Sequence, residues 1–306
     1  MNTDYDVIII GGGPAGLSAA IYASRAGLRT MLLEKGSMGG ELINRETIEN
    51  YPGFGEGVEG PVLAEGMSEQ AVCFGTEFEF GEVTGIESRE DCKVVKTEWE
   101  SYTCRGIIIT SGSLPRKLGV PGEEEFGHRG VFYCATCDGP QYANKAVVVA
   151  GAGDSGITDA LALARTCTKV TVLEFLPQPK ASKILLDRAA ENPKIRIQCN
   201  VKIEAILGEE RMTGLEIEDR GTGEKSRVDA EGLLVRIGLV PNTKFLADVL
   251  ELTPSGQIPV DDDMQTKIPG VFAAGDVREH SPMQISTAVG DGVTAAMAVG
   301  RYLNTH

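Results

Sequence analysis

No stretch of this 306-residue chain approaches the roughly 20 consecutive apolar residues that cross a bilayer. Its start, Met1-Asn-Thr-Asp-Tyr-Asp, also lacks the basic opening of an export signal. The cytoplasm is therefore the expected location, with no membrane partner. A basic surplus is missing too. The net charge of -15 repels phosphate backbones at long range, which excludes nucleic acid as a general partner. Histidine is confined to His128, His280 and His306, and Cys73, Cys92, Cys104, Cys167 and Cys199 stand singly. Four grouped zinc ligands are not available, so no metal is expected, and the cysteine pattern is unlike a secreted disulfide framework. Glycine, by contrast, is plentiful at 38 residues, beside 42% hydrophobic and 24% charged residues. This is the composition of a folded globular protein long enough for two cores.

The glycines are concentrated where they carry information. The β-rich run Asp6-Val-Ile-Ile-Ile10 leads into Gly11-Gly-Gly13-Pro14-Ala15-Gly16, a helix-like stretch from Leu17 to Ala26, and Thr30-Met-Leu-Leu-Glu34. A second copy runs Ala146 to Ala150, Gly151-Ala-Gly153-Asp154-Ser155-Gly156, Ile157 to Arg165, and Lys169 to Glu174. Gly11 to Gly151 and Glu34 to Glu174 are both separations of 140 residues. A lone GxGxxG is a weak signal. Here each copy follows a strand, opens a helix and precedes an acid at the spacing of a dinucleotide fingerprint. The glycines admit a pyrophosphate to the free N–H groups of a helix N-terminus, and the acid accepts from ribose hydroxyls.

Between the copies, Val83 to Glu87, Lys93 to Thr97 and Gly106 to Thr110 read as strands. Pro115, Pro121 and Gly122 around Glu123-Glu-Glu125 mark a crossing, and Gly238-Leu-Val-Pro241-Asn a return. Gly270-Val-Phe-Ala-Ala-Gly275-Asp276 reads as a strand ending in a loop, and Ser286 to Leu303 as a closing helix. The expected fold class is α/β, with two Rossmann-like domains. The first comprises 1–115 and 244–306, and the second, 116–243, is inserted in it.

In the run Cys134-Ala-Thr-Cys137-Asp138, the second cysteine stands fourteen residues before the second loop opens at Gly151. A CxxC pair binds zinc, staples a loop or exchanges electrons. Without further grouped ligands, and beside a dinucleotide fold, electron exchange is the favoured reading, and Asp138 is the natural proton carrier.

Taken together, Gly11 to Gly16, Gly39-Gly-Glu-Leu42, Glu49-Asn-Tyr-Pro-Gly53, Thr110-Ser-Gly112, Cys134 to Gly139, Gly151 to Gly156 and Gly275-Asp276 resemble the low-molecular-weight thioredoxin reductases, in family order across nearly the whole chain. The resemblance implies a two-domain flavin disulfide reductase in which Cys134, Cys137 and Asp138 are catalytic. It implies FAD in the first domain, with Gly11, Gly13, Pro14, Ala15 and Gly16 at the pyrophosphate and Glu34 and Lys35 at the adenosine ribose. Gly40, Glu41, Leu42, Asn50, Thr110, Ser111 and Gly112 would complete that site, with Gly275 and Asp276 at the ribityl chain and Gln284 and Ile285 near the isoalloxazine. A helix cap is the competing role for Asp276. The second loop, Gly151, Gly153, Asp154, Ser155 and Gly156 with Glu174, would take a nicotinamide nucleotide. Thioredoxin or a thioredoxin-like protein is the implied client, and a homodimer the implied assembly. Another disulfide protein as client, or a non-enzymatic flavoprotein redox sensor, are the alternatives.

One stretch departs from the family pattern. Members using NADPH carry a His-Arg-Arg run and a further Arg where this chain has Glu174-Phe175-Leu176 and Lys180. Two lost charge-assisted bonds to a 2'-phosphate, at about 1.5 to 3 kcal/mol each, weaken NADPH by roughly two to four powers of ten. NADH held by Glu174, a protein or deazaflavin donor, and NADPH all remain open at this point. In the second case Phe175 and Leu176 would fill a vacated pocket. Family members also often carry two aromatics after the Cys-Asp-Gly run, whereas here Pro140 and Gln141 precede Tyr142. Arg129 stands where a docking arginine lies in relatives, with a solvated surface charge as the competing role.

Overall fold

The computed structural model describes residues 3–45 and 47–305, so His306 lies outside the described residues. The chain divides into two compact units, 1–114 with 240–306, and 115–239.

In the first unit, Glu77–Phe80, Thr30–Glu34, Tyr5–Ile10 and Ser101–Ile109 lie side by side in parallel, and Val271–Ala273 pairs in parallel with the far half of Ser101–Ile109. Lys93–Thr97 and Val83–Ser88 extend the near half as an antiparallel meander. The central strand Tyr5–Ile10 is apolar from Val7 to Ile10, where both its faces are covered. Val7 and Ile9 enter a core with the helix Pro14–Arg25, the helix Gly60–Cys73 and the closing helix Ile285–Thr305. Ile8 and Ile10 face a second core with Met31, Val95 and Leu246.

The second unit repeats this plan. Ile195–Gln198, Lys169–Leu173, Ala146–Ala150, Gly232–Val235 and Val131–Phe132 form a five-stranded parallel sheet in that spatial order. An antiparallel meander, Val201–Gly208, Met212–Asp219 and Lys225–Asp229, packs as a separate sheet over one face. The other face takes Ile157, Ala160 and Leu163 of the helix Asp154–Leu163. Both units are thus Rossmann-like, as the sequence repeat requires.

Glu123, in the acidic turn that marks the crossing, has a structural role of its own. It is buried, and its carboxylate accepts the Leu118 and Gly119 N–H groups at 2.8 and 2.7 Å and the Tyr133 hydroxyl at 2.7 Å. Burial, then this bond, pushes the Tyr133 phenol well above its ordinary range. The acid thereby fixes the residue preceding Cys134.

A second buried charge lies under the second glycine loop. Arg236 Nε donates to Asp159 at 2.5 Å with both side chains under 10% exposed, at 6% and 7%. Its Nη2 has no partner among the described residues. Removing one member of such a pair strands the other without water or partner. Asp159→Ala is expected to lower unfolding stability by about 3 to 5 kcal/mol, and Asp159→Leu with Arg236→Met by far less. Denaturant titration of the two variants checks this.

Candidate functional site

The two glycine loops are built on the same bonds. Gly11 N–H donates to Leu33 O and Gly151 N–H to Leu173 O, both at 2.8 Å. Gly11 and Gly151 have φ of +108° and +104°, conformations that disfavour any side chain. A Cβ on Gly16 would lie 1.9 Å from Gly11 O, and one on Gly156 2.1 Å from Gly151 O. Strand and helix therefore meet at backbone contact. Gly13 and Gly153 have open space where a Cβ would stand. Each is the N-cap of its helix with no side-chain cap, so the first N–H groups are left to an incoming anion.

A carboxylate closes each loop. Glu34 accepts from Gly12 N–H at 2.7 Å and Gly36 N–H at 2.8 Å. Glu174 accepts from Ala152 N–H at 2.7 Å and Leu176 N–H at 2.9 Å, and is only 8% exposed. Each oxygen keeps a second lone pair with which to accept a ribose hydroxyl.

Around the first loop, Thr110 Oγ donates to Ile10 O and Gly11 O, Ser111 Oγ to Asn242 O, and the Gly112 carbonyl accepts from Asn242 N–H. Gly40, Glu41 and Leu42 form a single 3-10 turn, with Leu42 buried in the core and Glu41 exposed. Pro14 and Ala15 open the helix. Lys35 pairs with Glu82 at 3.3 Å on the surface. The fold brings Asn50 to Gln284, Nδ2 to Oε1 at 3.2 Å, at the start of the helix that begins with Ile285. Asp276 is not a helix cap, because that helix starts nine residues on. It lies half-buried in the turn after Val271–Ala273, with Ser281 Oγ 3.4 Å from its Oδ1. Burial above all, with Asp291 and Glu41 adding to it, holds its carboxyl above the usual carboxylate range. An open glycine cradle, a ribose-ready acid and a half-buried carboxylate fit FAD.

In the second unit, Cys134 and Cys137 form a disulfide with Cα atoms 5.4 Å apart. Cys134 is the N-cap of the short helix Ala135–Asp138, and its sulfur accepts the Cys137 N–H at 3.0 Å. Asp138 is half-buried at the end of that helix. The segment is anchored from both sides, since Phe132 before it stacks on Tyr142 after it at 4.6 Å between ring centroids. Tyr142 is buried, so it is no docking aromatic on the surface. Arg129 donates to Glu125 O and Glu210 O, which ties it to its own backbone. No metal-holding cluster occurs among the described residues.

The Phe175 segment also differs from its sequence reading. Phe175 fills no buried pocket, being 49% exposed, and the Arg220 guanidinium covers its ring at 3.7 Å from the centroid. Arg220 Nη1 donates to Phe175 O at 2.8 Å. A cation thus returns to this segment from a hairpin 45 residues away, and nothing in the local sequence announces it.

Residues 5–292 match the family described as pyridine nucleotide-disulphide oxidoreductase. The chain is 43% identical to the thioredoxin reductase of Treponema pallidum over 305 residues, covering 100% of this chain and 99% of that protein. It is 42% identical to the thioredoxin reductase of Bacillus subtilis over 300 residues, covering 98% and 95%. The crystal structure of Lactococcus lactis thioredoxin reductase is 40% identical with a TM-score of 0.97, over 99% of this chain and 100% of that one. The family implies FAD and a nicotinamide cofactor. No helix among the described residues is long and apolar enough to cross a membrane. With two matched glycine loops and a CxxC disulfide in its second unit, the chain belongs to the pyridine nucleotide-disulphide oxidoreductases and, within them, to the low-molecular-weight thioredoxin reductases.

Proposed function

We propose that this flavoenzyme reduces the disulfide of thioredoxin or a thioredoxin-like protein, taking its electrons from NADH in preference to NADPH. The observation that carries the reading is the Cys134–Cys137 disulfide in a chain that builds two dinucleotide loops. FAD, held by the first loop, Glu34 and Asp276, supplies the two-electron carrier between nicotinamide and dithiol. Two electrons and two protons convert the Cys134–Cys137 disulfide to two thiols. The Cys137 N–H that Cys134 sulfur already accepts then favours the Cys134 thiolate. That thiolate attacks a client sulfur and forms a mixed disulfide. Cys137 resolves it, releasing the client's dithiol and restoring the original bond. Asp138, next to Cys137, carries the proton that this exchange moves.

The donor preference rests on Glu174. Its buried carboxylate is fixed by two N–H groups in the pose of Glu34, ready for the two hydroxyls of an unphosphorylated ribose. A 2'-phosphate there would meet a like charge with little water to screen it. One observation favours NADPH instead, the Arg220 guanidinium over Phe175. Anaerobic titration is expected to bleach the oxidised flavin with NADH at a concentration about tenfold or more below that needed with NADPH. The reverse order, abolished by Arg220→Ala, would assign the phosphate to Arg220. Bleaching by neither nucleotide would remove the nicotinamide donor.

Asp276 gives a pH dependence. A carboxylate raised on folding favours the fold when neutral, a contribution present at low pH and lost as pH rises through the folded value. Ribityl hydroxyls donating to Asp276 bond more strongly to the ionised form, so FAD binding has the opposite sign and weakens on acidification. That loss is expected at a pH above the ordinary aspartate range and is absent in Asp276→Asn. FAD dissociation constants measured across pH check it.

A further inference from the structure

The closing helix Ile285–Thr305 is mostly apolar where it meets the core, yet it buries one acid, Asp291, at 8% side-chain exposure. A lone carboxylate there would be costly, and the helix offers it no partner of its own. Its partner comes from the turn after Val271–Ala273. Arg278 Nε and Nη2 donate to Asp291 at 2.6 and 2.9 Å, a two-pronged pair. Arg278 Nη1 goes to Glu279 O at 3.0 Å.

A third bond on Asp291 gives the pair a reach beyond charge balance. Asp291 Oδ2 also accepts the Gly275 N–H at 3.1 Å, the residue immediately before Asp276. Arg278 N–H closes back on Gly275 O at 3.1 Å. Asp276 therefore stands inside a turn whose entry is bonded to Asp291 and whose exit carries the arginine bonded to the same carboxylate. The next helical residue, Gly292, meets the first glycine loop's helix at backbone contact, since a Cβ on it would lie 2.1 Å from Ala15 O. The stretch that bears Asp291 is thus seated on the opening turn of that helix.

We infer that Asp291 and Arg278 form a positioning pair, which sets the Asp276 turn against the first glycine loop and so governs how tightly FAD is held. The inference rests on the reading of Asp276 as a flavin contact. A pair needed only to fill the core is replaceable by apolar side chains of similar volume, often at little cost. A pair that holds Gly275 N–H is not, because the apolar replacement accepts no hydrogen bond.

Removing Asp291 alone would strand Arg278, so the test uses variants with both charges gone. In Arg278→Met with Asp291→Leu, the flavin-free protein is expected to melt near the wild-type temperature. Its FAD dissociation constant is expected to rise by about tenfold or more, the worth of a bond to a charged acceptor. Bound-flavin absorbance should lose its vibronic shoulders. Arg278→Met with Asp291→Asn, whose amide oxygen still accepts from Gly275, is expected to recover most of the affinity. Wild-type affinity and spectrum in the Leu variant would overturn the inference, as would equal losses in the Leu and Asn variants. Should the Leu variant not fold, wild-type affinity in Arg278→Met with Asp291→Ala would overturn it equally. Asp276→Ala is measured in parallel. If it binds FAD like wild type, the reading of Asp276 itself fails, separately from the role of the pair.

Discussion

Everything functional in this chain depends on one constraint, the contact between a strand end and a helix start that leaves no room for a side chain. A Cβ on Gly16 or Gly156 would fall far inside van der Waals contact distance of a carbonyl oxygen, at 1.9 and 2.1 Å. This contact brings the helix N-terminus within reach of an anion and aims its free N–H groups outward. The acid at the end of the next strand ties the loop down from the side, Glu34 on Gly12 and Gly36, Glu174 on Ala152 and Leu176. Substituting these glycines would lose the site and the packing together, which is why the pattern repeats so faithfully 140 residues apart.

What lies close in sequence was legible there. The strand, loop, helix and acid are consecutive, and each follows from turn chemistry or apolar patterning, so two Rossmann-like units could be read from one line of text. The CxxC run is local for the same reason. What the sequence hid are pairings across long separations. Arg220 and Phe175 are 45 residues apart, Arg236 and Asp159 are 77, and Asn50 and Gln284 are 234. Arg220, Arg236 and Asp159 alone read as ordinary surface or loop side chains, and for Phe175, Asn50 and Gln284, which the sequence did single out, it gave no sign of the partner. Glu123 belongs with them, since nothing in the run Glu-Glu-Glu tells which acid gathers three donors.

Buried charge is the second theme. Each unit places an arginine and an aspartate between helix and sheet near its nucleotide loop, Arg278 with Asp291 and Arg236 with Asp159. Such pairs add little net stability over apolar packing but permit few alternative arrangements. In the first unit the pair reaches a backbone N–H beside Asp276. In the second it lies along the loop's own helix. The dithiol is held by quieter means, the single stack of Phe132 before Cys134–Cys137 on Tyr142 after it and the Glu123 bond to Tyr133.

The central claim is that electrons entering from a nicotinamide leave through Cys134 and Cys137. The most direct measurement is a count of reactive thiols after anaerobic addition of NADH, in the wild type and in Cys134→Ser and Cys137→Ser variants that retain FAD. The account predicts that the wild type gains two thiols per chain and reduces client disulfide. Each variant should gain none and turn over no client. Client turnover in either variant, or a bleached wild-type flavin with no new thiols, would contradict it.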